Sequence, residues 1–172
     1  RNAVFSMQGL TNETHFISST GIAGRAAVKS ALVQMDTYAV TGIKQKQISY
    51  LYAPEFLNRT SEYGVSFERG TAVTYGDRKQ VFISGTASIN NKGEVVFPGD
   101  IVMQTHRMLQ NVEALLAEAE CDFADVAQMI VYLRDVADYK VVSKMFKNKF
   151  PQHPFVIVYA PVCRPGWLIE TE

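Results

Sequence analysis

At 172 residues, with 47% hydrophobic and 20% charged side chains, the chain is long enough for one well-buried domain, or for one domain carrying an appended piece, and has the balance of an ordinary soluble globular protein. Its 17 Lys and Arg offset its 17 Asp and Glu, so no surplus of positive charge waits for a phosphate backbone and no nucleic-acid partner is expected. No apolar run approaches the ~20 residues of a membrane span, so no membrane partner is expected and a cytoplasmic location is.

Residues 1–50 read as a fragment of something larger, since the chain opens on Arg1 rather than Met. Residues 15–18 form a short extended run, 21–24 a glycine-containing turn, and 26–35 a mixed apolar stretch that fits a helix or a buried strand. Gly42 then breaks the chain before a strand over 47–52. His15 could serve as a ligand or base, but beside Phe16 and Ile17 a structural or exposed histidine is the commoner case. Residues 53–62, with Pro54, Asn58, Thr60 and Ser61, have the composition of a connection.

Val65, Phe67 and residues 71–75 are strand-like. Gly76-Asp77 then separates that run from a strand over 78–84, a tight hairpin. Gly85 stops the strand, and Thr86, Ala87 and Ser88, too small and polar to fill a core, suit a pocket wall. A turn at 90–93 and an extended piece at 94–97 lead to Pro98-Gly99-Asp100, with Asp100 as the N-cap of a helix. Ile101, Thr105, Met108, Val112, Leu115 and Ala119 recur on its buried face, with Gln104, Arg107, Gln110 and Glu113 elsewhere on the cylinder.

After a loop at 121–125, residues 127–133 alternate as a strand covered on both faces. A second helix over 137–149 puts Tyr139, Val142, Met145 or Phe146, and Phe150 inward and Lys140, Lys144, Lys147 and Lys149 outward, and Pro151 ends it. A strand over 155–160, a loop over 161–166 and a last strand over 167–171 follow. The class is α+β, in the order β-β-α-β-α-β-β, with two helices covering one face of a single mixed sheet. The other face needs a cover, and a sheet with Val156, Val158 and Tyr159 on it would not remain in water as a large apolar patch, so an oligomer is expected.

The string 83–89, ISGTASI, followed by a turn, Gly99-Asp100-Ile101, Gln104-Thr105 and Asn111-x-Glu113-Ala114-Leu115-Leu116, resembles the Rid family, also called YjgF. Gly85-Thr86-Ala87-Ser88, with Ser66-Phe67-x-Arg69 upstream and Cys163-Arg164 and Leu168-x-Glu170 downstream, is closer to its chorismatase branch than to its imine deaminases. The resemblance implies a chorismate-mutase-like, ferredoxin-like fold that closes as a homotrimer with ligand sites between subunits. It also implies a division into residues 1–62, a fragment of an upstream, degenerate Rid-like copy plus connection, and residues 63–172, a Rid-like domain.

Glu170 is the first candidate for chemistry. It sits between apolar neighbours near a strand end, where desolvation would raise its pKa toward that of a proton donor at neutral pH. The plain alternative is an exposed edge carboxylate. In the family the matching glutamate lines the pocket and, in the chorismatases, transfers the proton. Arg164, in a Pro-flanked loop, and Arg69 could each hold a substrate carboxylate with the guanidinium fork, or be surface arginines, Arg69 pairing with Glu68. Phe67, Gly85, Thr86, Ala87 and Cys163 complete the expected cleft. Cys163 is a small wall residue, or, in a second reading, a nucleophile whose pKa Arg164 lowers.

Imine deaminases of the family carry a Pro-x-Arg motif on the strand after the second helix. Here the run is Pro154-Phe155-Val156, so that route is not expected. The expectation is a hydrolase or lyase acting on a small anionic metabolite, a chorismate-like enol ether or an enamine or imine, without metal or cofactor. The alternative is a metabolite-binding module without turnover. The family's ribonuclease and translation-inhibitor labels find little support in a neutral chain without interleaved aromatic and basic residues.

Overall fold

A computed structural model describes residues 1–172, the side chain of Tyr63 apart. The expected α+β class is present. Its long helix, α2 (Ile101–Glu118), starts where Asp100 accepts a hydrogen bond from Met103 N at 2.9 Å. A short α1 (Asn2–Met7) stands at the amino end, and α3 (Tyr139–Lys149) follows an acidic turn.

The strands are β1 (Ile48–Leu51), β2 (Gly70–Thr74), β3 (Lys79–Ile83), β4 (Thr86–Ala87), β5 (Met129–Leu133), β6 (Phe155–Tyr159) and β7 (Ile169–Thr171). β2 and β3 form the hairpin read from Gly76-Asp77, closed by Tyr75 N donating to Arg78 O at 2.7 Å. Hydrogen bonds group the strands as an antiparallel β1-β2-β3 sheet and a mixed β4-β7-β5-β6 sheet, rather than as one continuous sheet. The two stand on either side of a gap of about 590 Å³, lined by β3, the approach to β5, and Val112 and Leu116 of α2.

β5 alternates as its sequence requires. Met129, Val131 and Leu133 face the helices and pack with Met108, Leu109, Val142, Phe146, Phe150 and Ile169, whereas Ile130 and Tyr132 face the other way. A second cluster joins Leu51, Ala72, Ala87 and Ile89 to Leu115, Val162 and Trp167, tying the first sheet to the end of α2. The stretch 26–35 takes up neither of its two expected forms. It has no regular structure and is almost wholly exposed, because nothing packs on Val28, Leu32, Val33 or Met35. The supposed connection at 53–62 is instead well packed, with Leu57, Asn58 and Thr60 buried. Tyr139 points outward at 48% exposure.

Gln104, expected off the buried face, is fully buried. Its Nε2 donates to Phe97 O at 3.1 Å and Gly166 O at 2.9 Å, and its Oε1 accepts from Leu168 N at 2.9 Å. The side chain therefore splices the helix to the segment that begins β7. Gln104→Leu keeps the volume but strands two carbonyls and one N–H, so we expect thermal or denaturant unfolding to record a loss of about 3 kcal/mol.

Candidate functional site

β7 is held between β4 and β5 with Glu170 opposite Ala87 on one side and Tyr132 on the other. Ile169 turns toward the helices, so alternation sends the Glu170 side chain to the opposite face, where it is only 4% exposed. There it meets a cavity of about 580 Å³ lined also by Phe67, Arg69, Gly85, Ala87, Cys163 and Arg164. The sequence candidates thus converge, with one correction. Thr86 lies behind the wall, fully buried, its Oγ1 donating to Ser84 O at 2.9 Å, because it faces away from Ala87 on a strand. Ser88 likewise turns inward, donating to Val96 O at 2.9 Å.

Gly85 is what lets the acid in. A Cβ there would lie 2.1 Å from Glu170 Oε1, so only glycine leaves room for the carboxyl. Glu170 Oε2 is buried and has no hydrogen-bond partner among the described residues. Burial, then the charge of Glu172, push the Glu170 pKa up to about 7, while the Arg69 guanidinium works in the other direction. Glu172 is itself kept close by Tyr132, whose hydroxyl donates to its Oε1 at 2.5 Å. Burial and that neighbour push the Tyr132 phenol up as well.

A carboxyl with a raised folded-state pKa binds its proton more tightly in the native than in the unfolded chain. Its contribution is therefore complete at low pH and is lost as pH rises from the ordinary carboxylate value through about 7. Comparing wild type with Glu170→Gln from pH 4 to 8, we expect the wild type to lose about 3 kcal/mol relative to the variant over that window.

Arg69 is 3% exposed and is shared between framework and cavity. Its Nε and Nη2 donate to Asn58 O at 3.2 and 3.1 Å, and Nη2 also to Asn58 Oδ1 at 3.1 Å, with the guanidinium 5.6 Å from the Phe67 ring centroid. This answers the expected pairing with Glu68, which instead accepts from Phe16 N at 2.7 Å. Arg164 is exposed on the loop before β7, 5.7 Å from the Trp167 ring. Arg134 fixes that loop by donating to the carbonyls of Val162, Arg164 and Trp167, a role that its sequence gave no sign of.

Cys163 corrects the nucleophile reading. Its thiol is pushed up, not down, because burial and the Glu170 charge together outweigh Arg164, and Sγ donates to Gly21 O at 3.0 Å. That contact belongs to a feature the sequence did not announce: Ser19, Thr20 and Gly21 of the amino-terminal segment form one wall of the cavity. Chemically, the arrangement offers a proton donor in a low-dielectric recess with the buried Arg69 guanidinium in its lining and the exposed Arg164 beside it, suited to an anionic ligand.

The pattern of a family described as Endoribonuclease L-PSP matches residues 70–172. Among curated relatives, a RutC family protein of Pyrococcus abyssi is 31% identical over 94 residues, which span 54% of this chain and 74% of the relative. The 3-aminoacrylate deaminase RutC of Acinetobacter baylyi is 31% identical over 92 residues, spanning 52% and 73%. Of solved structures, a chorismatase aligns with a TM-score of 0.64 at 21% identity over 72% of this chain and 42% of its own. The YjgF gene product of E. coli aligns at 0.57 and 22% identity over 72% and 94%. At those identities the solved structures speak for a shared fold.

Proposed function

The chain belongs to the Endoribonuclease L-PSP family, the Rid or YjgF family, and from that premise we propose that it is a hydrolase or lyase of a small anionic metabolite with Glu170 as its proton-transfer group. The observation that carries this reading is a buried carboxyl, one oxygen unpartnered among the described residues, in the wall of a cavity that also holds Arg69 and Arg164. With a pKa of about 7 the acid is partly neutral at physiological pH and can both give and take a proton.

The neutral carboxyl protonates the terminal carbon of an enol ether, or the carbon of an enamine. The resulting cation takes up water, whose proton returns to the carboxylate, and the adduct breaks to a ketone with release of an alcohol or ammonia. An imine enters the same sequence by protonation on nitrogen. Arg164 and Arg69, both in the cavity lining, hold the substrate carboxylate. The solved chorismatase and the Cys163-Arg164 pattern favour the enol-ether substrate, whereas Val156, in place of the deaminase arginine, counts against the usual imine route.

Incubation with chorismate and with freshly generated 2-iminobutanoate, followed by product analysis, tests the proposal. Product from either, abolished in Glu170→Gln, supports it. The second reading, a metabolite-binding module, draws on Arg69 being already engaged by Asn58. Binding of both compounds that survives Glu170→Ala, with no product, would establish it.

A homotrimer and a cytoplasmic location are part of the proposal, as is the division into an upstream fragment at 1–62 and a Rid-like domain at 63–172. Support for the domain comes from the match over 70–172, and for assembly from Val156, left 49% exposed on the face of β6 turned away from the helices. None of the described helices is long and apolar enough to cross a membrane. Sedimentation velocity at micromolar concentration is expected to give three copies, and a single copy would refute the trimer.

A further inference from the structure

Residues 16–21 lie outside the family match yet are fastened to the site at every step. Phe16 N donates to Glu68 Oε1 at 2.7 Å, Glu68 N to Ile17 O at 3.0 Å, and Ser18 Oγ lies 2.6 Å from Thr71 Oγ1. Ser19 N then donates to Ser84 Oγ at 2.9 Å, Gly85 N to Thr20 Oγ1 at 2.8 Å, and Cys163 Sγ to Gly21 O at 3.0 Å. A segment of coil without a helix or strand of its own is thus tied down by both backbone and side-chain groups.

The space above Gly85 is already taken. A Cβ built there would stand 2.1 Å from Glu170 Oε1 and 2.9 Å from Thr20 Cγ2, so the carboxyl and the threonine methyl crowd the same spot. The Thr20 hydroxyl is occupied with Gly85 N, while its methyl stands on the same side of Gly85 as the Glu170 carboxyl. We infer that residues 19–21 close the cavity as a strap and that Thr20 is a positioning residue, its hydroxyl holding Gly85 while its methyl screens the Glu170 carboxyl from water. The inference rests on the reading of Glu170 as the proton-transfer group. Screening by an apolar group favours the neutral acid, in the direction found for Glu170.

The charged and titratable groups around that carboxyl are Glu172 just past its own strand, Arg69 just before β2, Tyr132 across on β5, Cys163 and Arg164 on the preceding loop, and Arg1 in the cavity lining. None of them is altered by substitution at Thr20. Two conservative changes separate the two roles: Thr20→Ser keeps the hydroxyl and removes the methyl, and Thr20→Val keeps the shape and removes the acceptor.

The test follows the carbon-13 titration of the Glu170 carboxyl and the hydrogen exchange of the Gly85 amide in the full chain. Thr20→Ser is expected to lower the titration midpoint by about half a pH unit or more with Gly85 still protected. Thr20→Val is expected to leave the midpoint in place while the Gly85 amide exchanges at least about tenfold faster. A merely structural strap would move neither midpoint. An unchanged midpoint in Thr20→Ser, with the wild type near 7, overturns the strap alone, as does unchanged Gly85 exchange in Thr20→Val. A wild-type midpoint in the ordinary carboxylate range overturns the reading of the site, and the inference with it.

Discussion

Replacing Glu170 by Gln is expected to lower turnover by about 10²–10⁴-fold while leaving the fold intact. The amide is isosteric and fits beside Gly85, but it cannot donate a proton to carbon or recover one from water. Loss of the negative charge also relieves burial, so above pH 7 the variant should unfold at a higher temperature than wild type. A fall in turnover accompanied by a fall in stability would indicate that the side chain supports structure rather than chemistry. Retained turnover would remove Glu170 from the reaction.

Gly85→Ala is expected to reduce turnover by at least about 10²-fold through displacement rather than removal of the acid. The new methyl would overlap Glu170 Oε1 at 2.1 Å and press on Thr20 Cγ2 at 2.9 Å, and its nearest carboxyl carbon would lie 3.1 Å away. The backbone itself carries no objection, since Gly85 has no positive φ. The carboxyl must therefore swing aside or the strap lift, and overpacking of this kind costs about 1–3 kcal/mol. Activity should suffer far more than stability, and a variant as active as wild type would show that the close approach of Gly85 to the acid has no part in function.

Much of the frame was legible because local chemistry announced it. Asp100 before an apolar periodicity marks α2, Gly76-Asp77 marks the hairpin, and the alternation of Met129, Val131 and Leu133 marks β5, all features of neighbouring residues. The resemblance supplied the convergence of Phe67, Arg69, Arg164 and Glu170, which no local pattern contains. What escaped depends on partners far away in sequence. Gln104 looks like a solvent-facing residue until Gly166, 62 positions on, presents its carbonyl, and Asn58 reads as loop until it clasps Arg69. Thr20 was invisible for the same reason, because its meaning lies in Gly85, 65 positions away. Adjacency to Arg164 points to a lowered Cys163 pKa, and the desolvation and Glu170 charge that outweigh it come from residues the local sequence does not show.

The most direct measurement of the central claim is the titration of the Glu170 carboxyl in selectively carbon-13-labelled wild-type protein. The account predicts a midpoint of about 7, the value of an acid kept out of water beside Glu172. A midpoint at the ordinary carboxylate value of 4.5 would show a solvated, permanently ionised side chain and would contradict it.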